Sequence, residues 1–272
     1  MQIPSNSITF GLFMESGVLR AGEAIALVDR QGRRYIKILR TGHRITIRGS
    51  VIKADSLIGR SEGSLIGSKK EYFRVFRPTL AELLPQIPRS AEPLFSKDIG
   101  VVLTRGDIMS GQRLLELGVG AGALSMALLR VIGPSGSLVS YEARADLAQH
   151  ACSNVERFWG ETPNWTVKVR NADDGFDERD VDRVITDIPE PQRLLGCIAQ
   201  ALRPGGILIC YLPTVLQIRD LHEALRVHPL WGSAQTWELL ERSWHVDPPS
   251  VRPDQRMVGH TGFVTVVRRL AP

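Results

Sequence analysis

Residues 113–124, Arg-Leu-Leu-Glu-Leu-Gly-Val-Gly-Ala-Gly-Ala-Leu, constrain the fold more than any other stretch of the chain. A short apolar run ends at Glu116. Three glycines alternate at Gly118, Gly120 and Gly122, and a helical pattern follows from about Leu124 to Val131. This is a strand, a tight glycine turn and a helix, the arrangement that brings backbone N–H groups against a nucleotide-like ligand. Further on, a second apolar run, Ser137-Leu-Val-Ser-Tyr, ends at Glu142. A carboxylate there can accept both ribose hydroxyls of an adenosine.

Two cofactor classes fit these residues. Gly118-x-Gly120-x-x-Ala123 satisfies the dinucleotide fingerprint, which tolerates Ala at its third place. The alternation Gly118-x-Gly120-x-Gly122 is more typical of sites for S-adenosylmethionine, whose single adenosine needs only one mononucleotide-binding half. A further strand pattern, Val181-Asp-Arg-Val-Ile-Thr, runs into Asp187-Ile-Pro189-Glu190-Pro191. That is an acid-plus-proline loop at the carboxyl end of a strand, where open α/β sheets bind ligands. Such loops are common in methyltransferases that act on ring or exocyclic nitrogens, so the combination favours the methyl donor. A glycine turn that merely packs a helix on a sheet would leave Glu142 and Asp187 at strand ends as coincidences.

Composition sets the remaining bounds. The chain has 272 residues, 43% hydrophobic and 23% charged, enough for one large or two ordinary domains. No apolar run approaches the ~20 residues of a membrane span, and Met-Gln-Ile-Pro-Ser-Asn lacks the features of a signal peptide. Cytoplasm is the expected compartment. Cys152, Cys197 and Cys210 are odd in number and widely spaced, so neither disulfides nor a metal site is expected, and all three are read as buried thiols. Residues 1–79 carry 14 Lys+Arg against 6 Asp+Glu, and the remainder 20 against 23. A basic N-terminal part on a mildly acidic body points to a polyanion partner, nucleic acid first.

The pattern along the chain predicts three parts: a β-rich, basic domain over 1–77, a connector and lead-in helix over 78–108, and an α/β domain over 109–272. In the first, 24–28, 35–39, 44–48, 64–67 and 72–76 read as short strands of a small barrel or curled sheet, with Arg44 and Arg48 on one face. A helix is expected from Lys97 to Ile108. Strands ending near Glu116, Glu142, Val169, Asp187 and Leu212 alternate with helices at about 124–132, 144–158, 191–202 and 214–226. That alternation predicts a doubly wound, mostly parallel Rossmann-like sheet. Pro204-Gly205-Gly206 reads as a turn before Ile207, and two tail strands, 237–241 and 263–267, as an antiparallel edge.

At this point the chain resembles bacterial and archaeal tRNA (adenine-58-N1)-methyltransferases. The resemblance covers nearly the whole length. It rests on Asp55-Ser-Leu-Ile-Gly-Arg-Ser-Glu-Gly-Ser, Phe76-Arg-Pro-Thr-Leu80, Glu116–Leu124, Ser140-Tyr-Glu-Ala-Arg-Ala-Asp146, Asp187-Ile-Pro-Glu-Pro and Tyr211-Leu-Pro-Thr-Val-Leu-Gln217. Most specific is Val251-Arg-Pro253 with Arg256-Met-Val-Gly-His-Thr-Gly-Phe263. The resemblance implies S-adenosylmethionine as methyl donor, tRNA as partner, no metal, and a homotetramer. It implies a cofactor site of Glu116, Gly118, Gly120, Ala121, Gly122, Ala123, Leu124, Glu142, Asn171 and Asp187, with Asp187 also catalytic. On the substrate side it implies Phe95, Ser96, Arg252 and His260. Arg252 has a second reading as a subunit contact, and His260 as a turn histidine bonded to backbone.

The sequence departs from the family where Ser90, Glu92 and Phe95-Ser96 replace Gly, Gln and Tyr-Pro, and where Gln192 replaces Trp. Asn171 stands where an Asp is usual, with Asp173 and Asp174 close by. Two other functions therefore stay open: a related methyltransferase with a small-molecule acceptor, and a non-catalytic RNA-binding subunit.

Overall fold

The computed structural model describes residues 17–67, 71–88 and 94–272. The replaced positions Ser90 and Glu92 lie outside them. Two compact units separate. The first ends at Ile87 and also takes in Arg157–Glu161; the second holds the rest. The stretch expected as a connector over 78–108 is thereby shared, its first helix belonging to one unit and its second to the other.

The first unit carries β1 (Ala24–Val28), β2 (Arg34–Ile38), β3 (Arg44–Ile47), β4 (Ser50–Lys53), β5 (Leu65–Gly67), β6 (Tyr72–Phe76) and the short helix α1 (Leu80–Leu83). Four strands form an antiparallel sheet in the order β2-β1-β6-β5, and β3 pairs with β4. Alternation decides which faces turn inward: Ile45 and Ile47 of β3 are buried while Arg44 and Thr46 are exposed. They close a core with Ile25, Leu27, Leu57 and Phe73. Arg48 does not continue the strand face of Arg44. Its φ of 48° and the 91° of Gly49 make a two-residue turn of the kind that joins tight hairpins. The strand β4 that this turn creates was not expected. Helix α1 opens with a capping box between Thr79 and Glu82.

The second unit contains α2 (Ser96–Arg105), β7 (Arg113–Leu117), α3 (Ala123–Ile132), β8 (Ser137–Glu142), α4 (Ala145–Trp159, its last residues in the first unit), β9 (Trp165–Val169), β10 (Val181–Thr186), α5 (Leu195–Ala201), β11 (Leu202–Leu212), α6 (Val215–Val227), β12 (Gln235–Glu238), β13 (Trp244–Asp247), β14 (Ser250–Pro253) and β15 (Phe263–Arg268). Seven strands form one sheet in the order β12-β15-β11-β10-β7-β8-β9. Pairing is parallel from β11 across to β9 and antiparallel where β15 and β12 close the edge. This is the expected Rossmann-like α/β architecture. The chain fills one side through β8 and β9, then crosses back to place β10 beside β7. That reversal opens the crevice where such sheets bind ligands.

Several boundaries differ from expectation for identifiable reasons. Helix α2 stops at Arg105, because Asp107 adopts a φ of 51°. The segment 191–202 begins as a 3-10 turn over Pro191–Leu194 before α5. Pro204-Gly205-Gly206 lies inside β11, where the register with β10 slips between Val181–Leu202 and Arg183–Ile207; proline and glycine are tolerated at such a bulge. The hairpin β13–β14 was not expected as strands at all. The cysteines also differ from expectation: Cys210 is buried, Cys197 half-buried and Cys152 exposed, the last on the outer face of α4.

Candidate active site

Strand β7 delivers the chain to Gly118 at the carboxyl end of the sheet. Gly118 has a φ of 85°, and a Cβ there would lie 2.5 Å from the Asp187 carbonyl oxygen, so no other residue fits without moving the acid loop. The Asp187 N–H donates to the Leu117 carbonyl at 2.8 Å, and the Gly118 N–H to the Tyr141 carbonyl at 2.9 Å. These bonds hold the ends of β7, β8 and β10 against one another. The turn ends at Gly122, also left-handed at 83°, which gives α3 no side-chain cap. The first-turn N–H groups of α3, from Ala123 and Leu124, thus begin a helix without a capping oxygen, a natural seat for an anionic group. Ala121, Ala123 and Leu124 have buried side chains; what they can offer a ligand is backbone.

Glu142 closes the end of β8. Its Oε2 accepts from the N–H groups of Val119 at 3.1 Å and Gly120 at 3.4 Å, and its Oε1 from Arg144 N–H at 3.0 Å. The carboxylate therefore shapes the glycine turn and keeps lone pairs for hydroxyl donors. Asp187 is half-buried. Burial first, then the negative charge of Glu142, pushes its carboxyl up to about 6. The loop behind it is fixed from α6, where Gln217 donates to the Pro189 carbonyl at 3.0 Å.

Glu116 sits differently. It is wholly buried, and its Oε2 accepts from Ser125 at 2.7 Å and Ser140 at 2.6 Å. Trp165 Nε1 donates in turn to Ser140 at 2.8 Å. Oε1 has no partner among the described residues, and desolvation raises the group to about 7. Glu116 thus supports β7 and the start of α3 from behind the turn. The Ser125–Ser140–Trp165 chain gave no signal in sequence spacing.

A cleft of about 210 Å³ opens beside Gly118 and Glu142, walled by Tyr141, Asn171, Ala172, Ile188, Leu194 and Arg193. Asn171 Oδ1 accepts from Asp173 N–H at 3.1 Å, which leaves one lone pair on that oxygen and both amide hydrogens. Asp173 is engaged by Arg193 at 3.3 Å, and Arg193 also reaches Glu190 at 3.1 Å. Arg193, Ile188 and Leu194 were not foreseen as parts of the site. The whole has a hydroxyl-accepting carboxylate, apolar walls for a flat ring, an uncapped helix start for a carboxylate, and acidic groups suited to a cation. That set fits a nucleoside carrying a zwitterionic, cationic tail. Among the described residues, no three His, Cys, Asp or Glu side chains gather as a metal site would.

Residues 72–252 match the family described as tRNA methyltransferase complex GCD14 subunit, and residues 17–66 match TrmI-like N-terminal domains. The chain belongs to the tRNA (adenine-58-N1)-methyltransferase family. It is 33% identical over 247 residues to tRNA (adenine(58)-N(1))-methyltransferase TrmI of Thermus thermophilus, covering 90% of this chain and 96% of that one. It is 30% identical over 268 residues to tRNA (adenine(57)-N(1)/adenine(58)-N(1))-methyltransferase TrmI of Methanocaldococcus jannaschii, covering 89% and 93%. Among solved structures, a SAM-dependent O-methyltransferase from Thermotoga maritima superposes with a TM-score of 0.85 at 26% identity, covering 94% and 96%. The Aquifex aeolicus TrmI shares the fold, with a TM-score of 0.80 at 24% identity over 94% and 100%.

The remaining positions singled out by the methyltransferase resemblance lie apart from the cleft walls. Phe95 and Ser96 stand exposed at the start of α2. Just behind them Lys97 donates to Asp98 at 2.8 Å and to Thr261 at 2.5 Å, and Thr261 donates to Asp98 at 2.7 Å. This buried cluster ties α2 to the Gly-His-Thr-Gly turn. His260 faces two acceptors, the Pro213 carbonyl and the Glu238 carboxylate, each at 2.7 Å. Two acceptors facing both ring nitrogens favour the protonated ring; Glu238, then the Pro213 carbonyl, holds its pKa above the usual value. The Pro213 carbonyl is the backbone contact that the turn reading of His260 calls for. Arg252 is exposed on the β13–β14 hairpin.

Proposed function

We propose that this protein transfers the methyl group of S-adenosylmethionine to N1 of an adenosine in the T-loop of tRNA. The observation that carries this reading is the half-buried Asp187 carboxylate at the sheet's switch point, beside the Glu142 cleft, in a chain of this family. When bound, the donor supplies an electrophilic methyl on a cationic sulfur. In our reading Glu142 takes the ribose hydroxyls, the backbone from Gly120 to Leu124 the methionine part, and Asn171 the adenine ring edge, between the apolar walls of Ala172, Ile188 and Leu194.

Adenine N1 attacks with its own lone pair, so no base is required. The protein's task is orientation and charge. Ionised Asp187 accepts a hydrogen bond from the exocyclic amino group, fixes the ring, and lies close to positive charge as it develops there. The target base is paired and stacked in folded tRNA, so it must be extruded at a cost of a few kcal/mol. Phe95 and Ser96, at the head of α2, are assigned to the side from which that base arrives.

Single-turnover kinetics with Asp187→Ala test the assignment. The rate falls by roughly 10²–10³ while donor affinity by calorimetry changes little; an unchanged rate overturns it.

We assign the protein to the cytoplasm with its tRNA, and to a homotetramer. Support for assembly comes from the β13–β14 ribbon, which exposes Trp244 at 59%, Val246 at 69% and Val251 at 60%. A two-stranded ribbon with apolar faces is marginal alone and is stabilised by a covering surface. Arg252, on the same ribbon, then takes its subunit-contact reading.

A further inference from the structure

The first unit holds a cleft that the reaction does not use. It has a volume of about 300 Å³ and is lined by Ile36, Lys37, Ile38, Arg40, Arg157 and Phe158. All of these belong to the first unit, Arg157 and Phe158 through the returning end of α4. Three cations from two distant stretches of chain therefore meet in one concavity, and no acidic side chain lines it among the described residues.

Neighbouring arginines are arranged differently. Arg33 is paired with Asp29, Arg34 with Glu82, and Arg77 with Glu23 and Glu62. Lys37 and Arg40 have no carboxylate within salt-bridge reach among the described residues, and Arg157 lies over the Phe158 ring at 5.2 Å. Among the described residues strand β2 pairs only with β1, which leaves its outer edge open at this cleft. Cations left without counter-charge, an open backbone edge and an apolar floor fit a segment of polyanion whose sugars rest on the floor and whose charges reach the rim.

We propose that this cleft seats backbone phosphates of the substrate tRNA, with Lys37, Arg40 and Arg157 as their counter-charges. The proposal rests on the tRNA reading above and adds the place where the RNA is held. Phosphate contacts of this kind fix register and orientation without reading sequence. They contribute affinity from surface remote from the extruded base.

The test measures binding of an unmodified tRNA transcript across a salt series, for wild type, Lys37→Ala/Arg40→Ala and the triple variant with Arg157→Ala. The double variant leaves α4 intact. The triple variant is expected to bind at least about tenfold more weakly, with a slope of log K against log salt shallower by roughly 0.9 for each phosphate no longer neutralised. KM for tRNA rises, while kcat at saturating tRNA and donor affinity stay at wild-type values. Folded variants with wild-type tRNA affinity and slope overturn the cleft assignment alone. Wild type that binds no tRNA overturns the parent reading and this one with it.

Discussion

Two carboxyl groups close to each other in space are tuned to different ends. In the proposed reaction Asp187, raised to about 6 by burial and Glu142, is the stronger acceptor for the amino hydrogen when ionised, and only then carries the negative charge that offsets the developing cation. Below that pH the carboxyl is neutral and that charge is lost. We predict that kcat/KM for tRNA rises with pH to a plateau, with an acid limb near 6, and that Asp187→Asn, which keeps an acceptor oxygen but cannot titrate, loses that limb. Glu116, raised to about 7 chiefly by desolvation, acts on stability. The folded state holds its proton more tightly than the unfolded chain does, so unfolding free energy falls as pH rises from about 4.5 to 7. That fall amounts to ~3 kcal/mol at most. Urea titrations of Glu116→Gln at pH 5 and pH 8 should show a correspondingly flatter dependence; a variant with the wild-type slope contradicts the assignment. The sequence placed Glu116 in the cofactor site through its position before the glycines. It could not show that the side chain turns away to Ser125 and Ser140, because those partners are set by strand pairing and helix packing.

At the level of elements, the strand–turn–helix from Arg113 to Ile132 was legible because its signals are local. An apolar run, glycines that must adopt positive φ, and helical periodicity lie within one window. We predict that Gly118→Ala, whose Cβ meets the Asp187 carbonyl at 2.5 Å, displaces the acid loop. Donor affinity and turnover should fall together, with a stability loss on the order of 1–3 kcal/mol measured by thermal unfolding. Wild-type affinity in this variant would contradict the packing of β7 on β10. The β3–β4 hairpin was half legible: Arg44–Ile47 alternates, but the turn at Arg48-Gly49 puts a bulky residue at φ 48° instead of the Asn-Gly or Asp-Gly that advertises such turns. The β13–β14 ribbon was hidden because its alternation has no inward face among the described residues to reveal it. The walls Arg193 and Leu194 were missed because the 3-10 turn at Pro191–Leu194 brings them to the cleft, where a plain helix was expected.

For the whole molecule, the uneven charge along the chain and the exposed ribbon are the features with consequences in solution. The charge asymmetry was visible in the sequence. Which cations are neutralised at home and which are left open was not, since ion pairs such as Arg77 with Glu23 join residues far apart in the chain. We predict that Trp244→Glu with Val246→Glu lowers the molar mass found by light scattering, the sheet remaining folded by circular dichroism. An unchanged mass contradicts the assignment of the ribbon to a subunit interface. In the proposed reaction one cleft grips a sulfonium methyl donor and aims adenine N1 at it. The most direct measurement incubates the purified protein with methyl-labelled S-adenosylmethionine and unmodified tRNA, then digests the RNA to nucleosides. Label is expected in 1-methyladenosine, appearing roughly 10²–10³ more slowly with Asp187→Ala. An RNA fraction without label, or with label in a different nucleoside, would contradict it.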